Sequence, residues 1–334
     1  MKLAVLTRKV DPVSLVVYRE NVIRELESLG VILLPMNQNG PIPENCDVVW
    51  DPGIVGGRIA PLFFKKPKIP IVATIHGAAS ATLKLRELHD SLIEAVKIKF
   101  RHYFKVLPKW RWFRKELSAV IAVSKYGSKE IGNAYNLPSD IIFPVYHGVN
   151  HFILRPEGYV ASHERHYFLH VAQYQRKKNS ESVFRAYEML PKGNRPDLIA
   201  ILPGFNKKIE IEGLTVINKE VKQDKLAEFY RGAIGFIFPS LHETFGLPII
   251  EAMACGCPVI TSNITACPEI AGDAAMLVSP RNVKEISNAM RTLAGDESVR
   301  ADLRRKGIIR AEMFSWDKCA KEHLEIFEKA ARLK

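Results

Sequence analysis

The sequence predicts an α/β protein built from two Rossmann-like domains, and three observations carry that prediction. Short apolar runs rich in β-branched residues alternate with longer helical patterns, which is typical of strand–helix–strand units around parallel sheets. The alternation restarts after residues 148–166, a segment punctuated by glycine and proline. At 334 residues the chain is long enough for two domains with substantial cores. We therefore expect two such domains facing across a cleft.

The first half of the chain is expected to contain six strands, one early helix and a long helical region. The helix covers Tyr18–Leu29 and stops at Gly30, because glycine readily adopts the left-handed conformation that ends helices. The helical region covers about Thr82–Ser118 and is interrupted at Pro108, since proline has no backbone N–H to donate. The predicted strands are Leu3–Thr7, Val31–Leu34, Asp47–Trp50, Ile71–Ile75, Val120–Val123 and Ile141–Val145.

The second half is expected to repeat this alternation. Its predicted strands are Tyr167–Ala172, Leu198–Leu202, Leu214–Ile217, Gly235–Pro239, Val259–Thr261 and Met276–Val278. Its helices are expected near Ser180–Leu190, Lys222–Tyr230, Pro248–Cys255, Val283–Leu293 and Val299–Met313. Ligands of open α/β sheets bind beyond the carboxyl ends of the strands, so the loops at those ends are where a site is expected.

Composition and charge limit the class of protein without fixing its function. The formal net charge of +12 suits nucleic acid, an anionic membrane surface or a phosphorylated small molecule as partner. No apolar run reaches the length of a membrane-spanning helix, and the N-terminal run is too short for a signal peptide. The cysteines are expected to be small buried residues in a reducing cytoplasm: Cys46, Cys255, Cys257, Cys267 and Cys319.

The segment PSLHETFGLPIIEAMACGCPVITS, residues 239–262, carries the clearest functional pattern. An apolar strand precedes it, and Phe245–Pro248 forms a tight turn that opens a helix. Such a helix N-terminus aims backbone N–H groups at an anion. Glu243 lies before the turn and Glu251 lies one turn into the helix. Two carboxylates beside an anion site indicate a polyol held next to a phosphate, the combination that nucleotide-sugars present.

HETFGLPIIEAMACGCPVI resembles the E-x7-E motif of the retaining glycosyltransferases of family 4, which have the GT-B fold. The resemblance extends to VIAVS at 120–124, VYHGVN at 145–150 and PEIAGDAAMLVSP at 268–280. FSWDKCAKEHLEIF at 314–327 resembles the terminal helix that crosses back onto the N-terminal domain. The resemblance implies an acceptor domain over residues 1–150, joined by residues 313–334, and a nucleotide-sugar donor domain over 165–312.

The resemblance also implies roles for the residues of the motif. Glu251 would accept hydrogen bonds from the ribose diol, and Glu243 would contact hydroxyls of the transferred sugar. Phe245, Gly246 and Leu247 would act through their backbone N–H groups, which point at phosphate or sugar oxygens. Gly246 would let the main chain approach the ligand closely.

Cations for the donor diphosphate are expected in HVAQYQRKKNSESVF, residues 170–184. Lys178 stands where the family has a lysine on the diphosphate. Gln173 stands where the family usually has an arginine, and glutamine cannot neutralise a leaving phosphate. Arg176 or Lys177 is left open as a compensating cation.

Further contacts are expected from the N-terminal half and from the nucleotide base. His76 ends a strand where the family often has a histidine close to the reacting sugar. The first loop, RKVDPVSLVV, lacks the family's usual Gly-Gly pair, and Gly56-Gly57 is interpreted as an ordinary turn in preference to a substitute. Val216 and Asn218 are expected near the base, without distinguishing uracil from guanine.

These implications combine into one functional hypothesis. A sugar, expected to be a hexose, moves with retention from a nucleotide-diphosphate donor such as a UDP-sugar to a glycan or lipid-linked acceptor. His76, Glu243 and Lys178 are the expected catalytic residues. No metal and no other cofactor is expected, because the chain contains no D-x-D sequence to clamp a metal onto the phosphates. A nucleotide-sugar epimerase and a catalytically silent sugar-nucleotide or membrane-binding subunit remain the alternatives.

The stretch KIKFRHYFKVLPKWRWFRK, residues 97–115, combines eight Lys or Arg with six aromatic residues. One interpretation is a pair of helices with inward aromatics and solvated cations. The other is docking on an anionic membrane surface, which would make the protein cytoplasmic and peripheral on the inner face of the membrane. Stacking on nucleic-acid bases is the least favoured interpretation, and no nucleic-acid partner is expected.

Overall fold

The computed structural model describes residues 1–8, 12–38, 40–59, 68–193 and 195–332. The chain divides into two compact units. Unit 1 comprises Met1–Gly148 together with Trp316–Lys334, and unit 2 comprises Val149–Ser315. The C-terminal segment therefore belongs to the same unit as the N-terminus.

Each unit contains a six-stranded sheet in which every strand pairs in parallel with its neighbours. The strand order is β2-β1-β3-β4-β5-β6 in unit 1 and β12-β11-β10-β7-β8-β9 in unit 2. Strands β1–β6 are Lys2–Thr7, Ile32–Asn37, Val48–Ile54, Ile71–Ile75, Leu117–Ala122 and Ile142–Pro144. Strands β7–β12 are Tyr167–Val171, Asp197–Ile201, Leu214–Ile217, Gly235–Phe238, Val259–Ser262 and Ala275–Val278. The prediction of two parallel α/β sheets is confirmed.

The helices connect and cover these strands. Helices α1–α6 are Val13–Ser28, Ala79–Thr82, Leu85–Leu88, Leu92–Arg101, Leu107–Phe113 and Lys125–Tyr135. Helices α7–α13 are Ser180–Glu188, Gln223–Gly232, Leu247–Ala254, Cys267–Ala271, Val283–Gly295, Glu297–Glu312 and Trp316–Ala331. The sequence analysis missed α6 and α10. Two glycines weaken the helical pattern of α6, and α10 is a single turn.

The sheet of unit 1 has an apolar layer on each face, because successive side chains of a strand point to opposite sides. In β1, Leu3 and Val5 pack with α1 and α13 on one face. Ala4 and Leu6 belong to the opposite layer, which contains residues of α5 and α6. Both layers are buried, so the terminal helix α13 is part of the core of unit 1.

The helical region after β4 differs from the prediction of an interruption at Pro108. Helix α4 continues through a π-helical turn, His102–Val106, directly into α5. In that turn the N–H of Leu107 bonds to the carbonyl of His102, five residues back. A wider turn accommodates Pro108, which has no N–H and whose ring crowds the preceding turn. The helix therefore passes the proline without breaking.

Helices of unit 2 pack closely on one another around the sheet. Helix α12 lies against α9, and a Cβ added to Gly307 would lie 3.3 Å from the side chain of Met253. Helix α11 lies against α7. All five cysteines are buried and free, as the sequence predicted. None of the described helices combines the length and apolarity needed to span a lipid bilayer.

Candidate active site

The loops after β7 and β10 bring Lys178 and Glu243 into direct contact. Lys178 ends a 3₁₀ turn, Arg176–Lys178, that follows β7. Glu243 lies in the loop between β10 and α9. Nζ of Lys178 is 2.6 Å from Oε1 of Glu243, and the two side chains are only 17% and 11% exposed. Two residues that the sequence assigned to donor binding thus form a largely buried ion pair.

Backbone contacts hold these two loops in register. The N–H of Leu241 donates to the carbonyl of Lys177 at 2.7 Å. The hydroxyl of Ser240 lies 2.9 Å from that carbonyl and 2.7 Å from Oε1 of Glu243, so its hydrogen is shared between two acceptors. Ser240 was missed by the sequence analysis, although its place three residues before Glu243 at a strand end is a signal for such a contact.

Asn179 fixes the turn that presents Lys178. It has a φ of 64°, a left-handed conformation that asparagine tolerates better than most residues. Its side-chain amide donates to the carbonyls of Pro239 and Pro280 at 2.9 and 2.7 Å. One buried side chain therefore ties the turn after β7 to the strand-end loops after β10 and β12.

Glu243 is held in its ionised form. Burial raises its pKa, but the ammonium groups of Lys178 and Lys177 and hydrogen bonds from Lys178 and Ser240 outweigh burial, so that the pKa lies below the usual value. A carboxylate fixed in this way can accept hydrogen bonds from sugar hydroxyls at neutral pH. It also keeps the Lys178 ammonium in one position.

Helix α9 begins beside Glu243 without a side-chain cap. Gly246 precedes its first residue with φ 97°, a conformation that disfavours residues with a Cβ. A Cβ at this position would also lie 3.0 Å from Cδ1 of Ile249. Phe245 is buried and packs edge-on against Phe314. Leu247 is the first helical residue, one position before the predicted start at Pro248.

Glu251 lies one turn into α9 in a different electrostatic environment. The Tyr230 hydroxyl donates to its Oε2 at 3.4 Å, and the Gln223 side chain also donates to the carboxylate. Burial raises the pKa of Glu251 to about 7. Within the described part of the chain, no cation forms an ion pair with it. Hydroxyl donors, such as those of a diol, are the partners that this carboxylate can use.

The remaining donor-side candidates lie near the same strand ends. Gln173 is exposed, and its amide donates to the carbonyl of Pro203 at 3.2 Å. Arg176 is exposed at the start of the turn that ends at Lys178. Val216 lies in β9, and Oδ1 of Asn218 accepts from the N–H of Gly204 at 2.9 Å. Gln173 thus links the loops after β7 and β8, a role that an uncharged amide can fill.

In unit 1, His76 follows β4 and is partly exposed. Its Nε2 is 2.8 Å from the carbonyl of Pro52, so Nε2 carries a hydrogen and donates. The rings of Tyr18 and His76 pack edge-on with their centroids 4.8 Å apart. The ring centroid of His147 lies 5.7 Å from that of His76. The ring of His76 is therefore held by the carbonyl of Pro52 and by aromatic contacts with Tyr18 and His147.

Tyr18 connects this strand end to helix α13. Its hydroxyl is 3.1 Å from Oγ1 of Thr74 and 2.6 Å from Nε2 of His323. Trp50 donates to the same threonine at 3.0 Å. Burial raises the pKa of Tyr18 well above its usual value and lowers the pKa of His323 to about 4. This neutral network was not anticipated, because its members are separated by up to 305 positions.

Gly56 and Gly57 serve the packing of unit 1. Both have positive φ values, 59° and 72°. A Cβ on Gly57 would lie 2.4 Å from Cγ1 of Val106, and Trp110 donates to its carbonyl at 2.9 Å. The ordinary-turn interpretation accounts for these contacts. Residues 9–11 of the first loop, where the sequence lacks a Gly-Gly pair, lie outside the described residues.

Two family profiles match the chain, one for each half. The profile described as Glycosyltransferase Family 4 matches residues 36–151, and the profile described as Glycosyl transferases group 1 matches residues 156–310. The chain is a glycosyltransferase of the family 4 type. The second profile contains the turn with Lys178, the loop with Glu243 and the helix with Glu251.

Curated relatives of this glycosyltransferase include bacterial and archaeal enzymes. The O-antigen chain mannosyltransferase B of Escherichia coli is 32% identical over 173 residues, which are 48% of this chain and 45% of that protein. An uncharacterized glycosyltransferase of Methanocaldococcus jannaschii is 26% identical over 281 residues, 81% of this chain and 72% of the relative. The chain thus spans less than half the length of the Escherichia coli enzyme.

Solved structures establish the fold of the glycosyltransferase. Sucrose-phosphate synthase from Thermosynechococcus elongatus superposes with a TM-score of 0.75 at 15% identity, covering 100% of both chains. HepE of Anabaena, in complex with UDP and glucose, superposes with a TM-score of 0.67 at 15% identity, covering 97% of this chain and 98% of that one. The predicted GT-B fold of two Rossmann-like domains is confirmed.

Proposed function

We propose that this protein transfers a hexose, with retention of configuration, from a nucleotide-diphosphate sugar to a glycan or lipid-linked acceptor. The observation that supports the proposal is the Lys178–Glu243 pair at the strand ends of unit 2. A cation for the diphosphate and a carboxylate for the sugar lie side by side there. Helix α9 begins at the end of the loop that contains Glu243, and its N–H groups favour an anion.

Lys178 is the group that stabilises the leaving diphosphate. In the transfer step the acceptor oxygen bonds to the anomeric carbon while the bond from that carbon to the phosphate oxygen breaks. The departing phosphate oxygen takes the acceptor's proton. Negative charge grows on the diphosphate, and an ammonium already fixed in place stabilises it without reorganisation. Arg176 and the N-terminus of α9 add positive potential on the same side.

Glu243 and Glu251 bind the uncharged parts of the donor, which are the transferred sugar and the ribose. Glu243 stays ionised and contacts hydroxyls of the transferred sugar. Glu251 binds the ribose diol, whose hydroxyls add hydrogen-bond donors to those of Tyr230 and Gln223. The role of His76 at the sugar stays a prediction of the resemblance, and within unit 1 its Nε2 donates its hydrogen to the carbonyl of Pro52. We propose front-face attack as the retaining route, since no carboxylate of the N-terminal half is marked as a nucleophile.

The relatives guide the choice of donors for the test. Mannosyltransferases of Escherichia coli and Salmonella typhimurium are among them, so a mannosyl donor is tested first. HepE binds UDP, so UDP-glucose forms the second arm of the test. The protein's own cations serve the diphosphate, so we propose that transfer needs no metal. Among the described residues, no three His, Cys, Asp or Glu gather as a metal-binding group.

A thermal-shift panel followed by a transfer assay tests the proposal. UDP, GDP, ADP and their sugars are each added to the protein, and a bound donor at a hundred times its Kd stabilises the fold by about 2.7 kcal/mol. Release of nucleoside diphosphate with a glycosylated product, whose anomeric configuration is read by NMR, supports the proposal. Inversion of configuration contradicts retention, and loss of activity in EDTA that Mn²⁺ or Mg²⁺ restores contradicts metal independence.

A catalytically silent sugar-nucleotide-binding subunit is the second candidate. Gln173 favours this candidate, because an uncharged amide occupies the position where the family usually has an arginine. The amide of Gln173 donates a hydrogen bond to the carbonyl of Pro203. Binding of a donor without product formation, for any acceptor tried, would favour this candidate. Interconversion of the free donor sugar would instead identify an epimerase.

A further inference from the structure

The helix after β4 exposes a contiguous apolar surface. Six large apolar side chains of α4 and the π-helical turn are between 48% and 69% exposed: Leu92, Ile93, Val96, Phe100, Tyr103 and Phe104. The rings of Phe100 and Phe104 stack on each other at 4.4 Å. Scattered single apolar residues are normal at protein surfaces, but six on one face of one helix indicate a contact surface.

A row of cations borders this apolar face. Lys97, Arg101 and Lys105 are exposed and follow one another at intervals of four residues, which places them along one edge of the helix. Glu94 forms an ion pair with Lys97 at 2.7 Å. The cations therefore outnumber the acid along this edge.

The opposite face of the same helix is fixed to the body of unit 1. Ala95 and His102 are buried, and Nζ of Lys99 donates to the carbonyl of Ala81 at 2.8 Å. Farther along, Trp110 and Phe113 are buried in the core. Each of the two interpretations of residues 97–115 therefore describes part of the stretch: Trp110 and Phe113 pack inward, whereas Phe100, Tyr103 and Phe104 are exposed on a face that begins at Leu92.

We propose that residues 92–105 form a docking surface for an anionic lipid bilayer. Exposed Phe, Ile and Leu side chains enter the acyl boundary, while the row of Lys97, Arg101 and Lys105 meets the negative headgroups. A second copy of this chain fits less well, because pairing two such faces brings like-charged rows together. The proposal does not depend on the transferred sugar, since the surface contains none of the proposed donor residues.

Vesicle sedimentation at low salt tests the docking surface. The protein is expected to bind vesicles of equal parts phosphatidylglycerol and phosphatidylcholine and to bind pure phosphatidylcholine weakly. Changing Lys97→Gln, Arg101→Gln and Lys105→Gln together should lower the partition coefficient about a hundredfold, because each cation contributes near an anionic surface. Phe100→Ser with Phe104→Ser should lower the partition coefficient at least about tenfold in both low-salt and high-salt buffer. The apolar contribution is not screened by salt.

Matched variants on unit 2 provide the controls. Lys284→Gln, Arg291→Gln and Arg305→Gln remove the same charge, and Ile309→Ser with Met313→Ser removes two similarly exposed apolar side chains. The controls should bind vesicles as the wild type does, and all variants should keep the wild-type melting temperature.

Three results would overturn the docking surface. The first is no binding to phosphatidylglycerol vesicles at low salt, and the second is an equal loss of vesicle binding in the control variants. The third is a dimer in sedimentation equilibrium that Phe100→Ser with Phe104→Ser abolishes while vesicle binding persists. Donor binding in the thermal-shift panel is measured without lipid, so failure of the glycosyltransferase proposal and failure of the docking surface are distinguishable.

Discussion

Buried ion pairs lie near strand ends in both units, and they differ in construction. In unit 2, Lys178 contacts Glu243 through a single oxygen, and both belong to loops that the sequence marks. In unit 1, Arg8 follows β1 and forms two contacts of 2.6 Å with Asp51 in β3, whose side chain is fully buried. A bidentate pair occupies both carboxylate oxygens, whereas the single contact leaves Glu243 able to accept hydrogen bonds. The first geometry suits support of the fold, and the second suits ligand exchange.

The largest effect is expected when the Lys178 ammonium is removed from the unit 2 pair. Lys178→Ala should lower turnover about a hundredfold or more, because a positioned donor to the developing charge is lost. It should also destabilise the protein by about 3 kcal/mol, since Glu243 is left as a buried charge without its main partner. Steady-state kinetics and urea unfolding measure the two effects.

The double variant Lys178→Ala with Glu243→Gln separates the two effects. Removing both charges should recover most of the stability, while turnover stays low. Recovery of turnover in the double variant would remove Lys178 from the diphosphate.

Arg8→Ala tests the unit 1 pair. It should cost about 3 kcal/mol of unfolding free energy, because the buried Asp51 carboxylate loses its arginine. Turnover of the folded fraction should change less than about tenfold if the pair only supports the fold. Arg24→Ala, which removes an exposed arginine from α1, is the control and should leave stability unchanged. A hundredfold loss of turnover in Arg8→Ala would show that both units carry cations for the reaction.

Tyr18→Phe probes the neutral network of unit 1. Removing the hydroxyl leaves Nε2 of His323 without its hydrogen-bond partner and takes one of two side-chain partners from Thr74, so unfolding free energy should fall by about 2 kcal/mol. Tyr135→Phe is the control, because the Tyr135 hydroxyl is buried without a hydrogen-bond partner among the described residues. Denaturant unfolding of both variants should show a loss for Tyr18 alone, and equal losses would contradict the network.

Glu251→Gln should show an effect that depends on pH. The pKa of Glu251 in the folded protein is raised to about 7, so its favourable contribution is complete below about pH 4.5 and is lost as pH rises through 7. The glutamine variant should therefore gain stability relative to the wild type between pH 5 and pH 8.5, by up to about 2.5 kcal/mol.

Melting temperatures across that pH range measure the gain. The exposed Glu210→Gln serves as the control, for which no such trend is expected. A constant difference between the Glu251 variant and the wild type would contradict the raised pKa. Weaker donor binding by the same variant at pH 8 would support the ribose role.

The sequence predicted those parts of the molecule that depend on local pattern. The strands of both sheets follow from apolar β-branched runs, and the turn at Gly246 follows from a helix start that needs a positive φ. The contacts that assemble the site depend on which strands are neighbours in the sheet, and a local sequence pattern does not show this. Ser240 meets Lys177 only because β7 and β10 are neighbours, and Arg8 meets Asp51 only because β1 and β3 pair. The π-helical turn accommodates Pro108, and it places Val106 and Trp110 against Gly57, a contact that no local pattern encodes.

Helix α13 gives the chain an order of assembly during synthesis. Phe327 and Ala330 fill the same apolar layer as Trp50 and Ile121, so unit 1 lacks part of its core until residues 316–331 have left the ribosome. Unit 2 is by then complete in length. The nascent chain therefore carries an N-terminal sheet with part of one apolar face uncovered, after all of unit 2 has been synthesised.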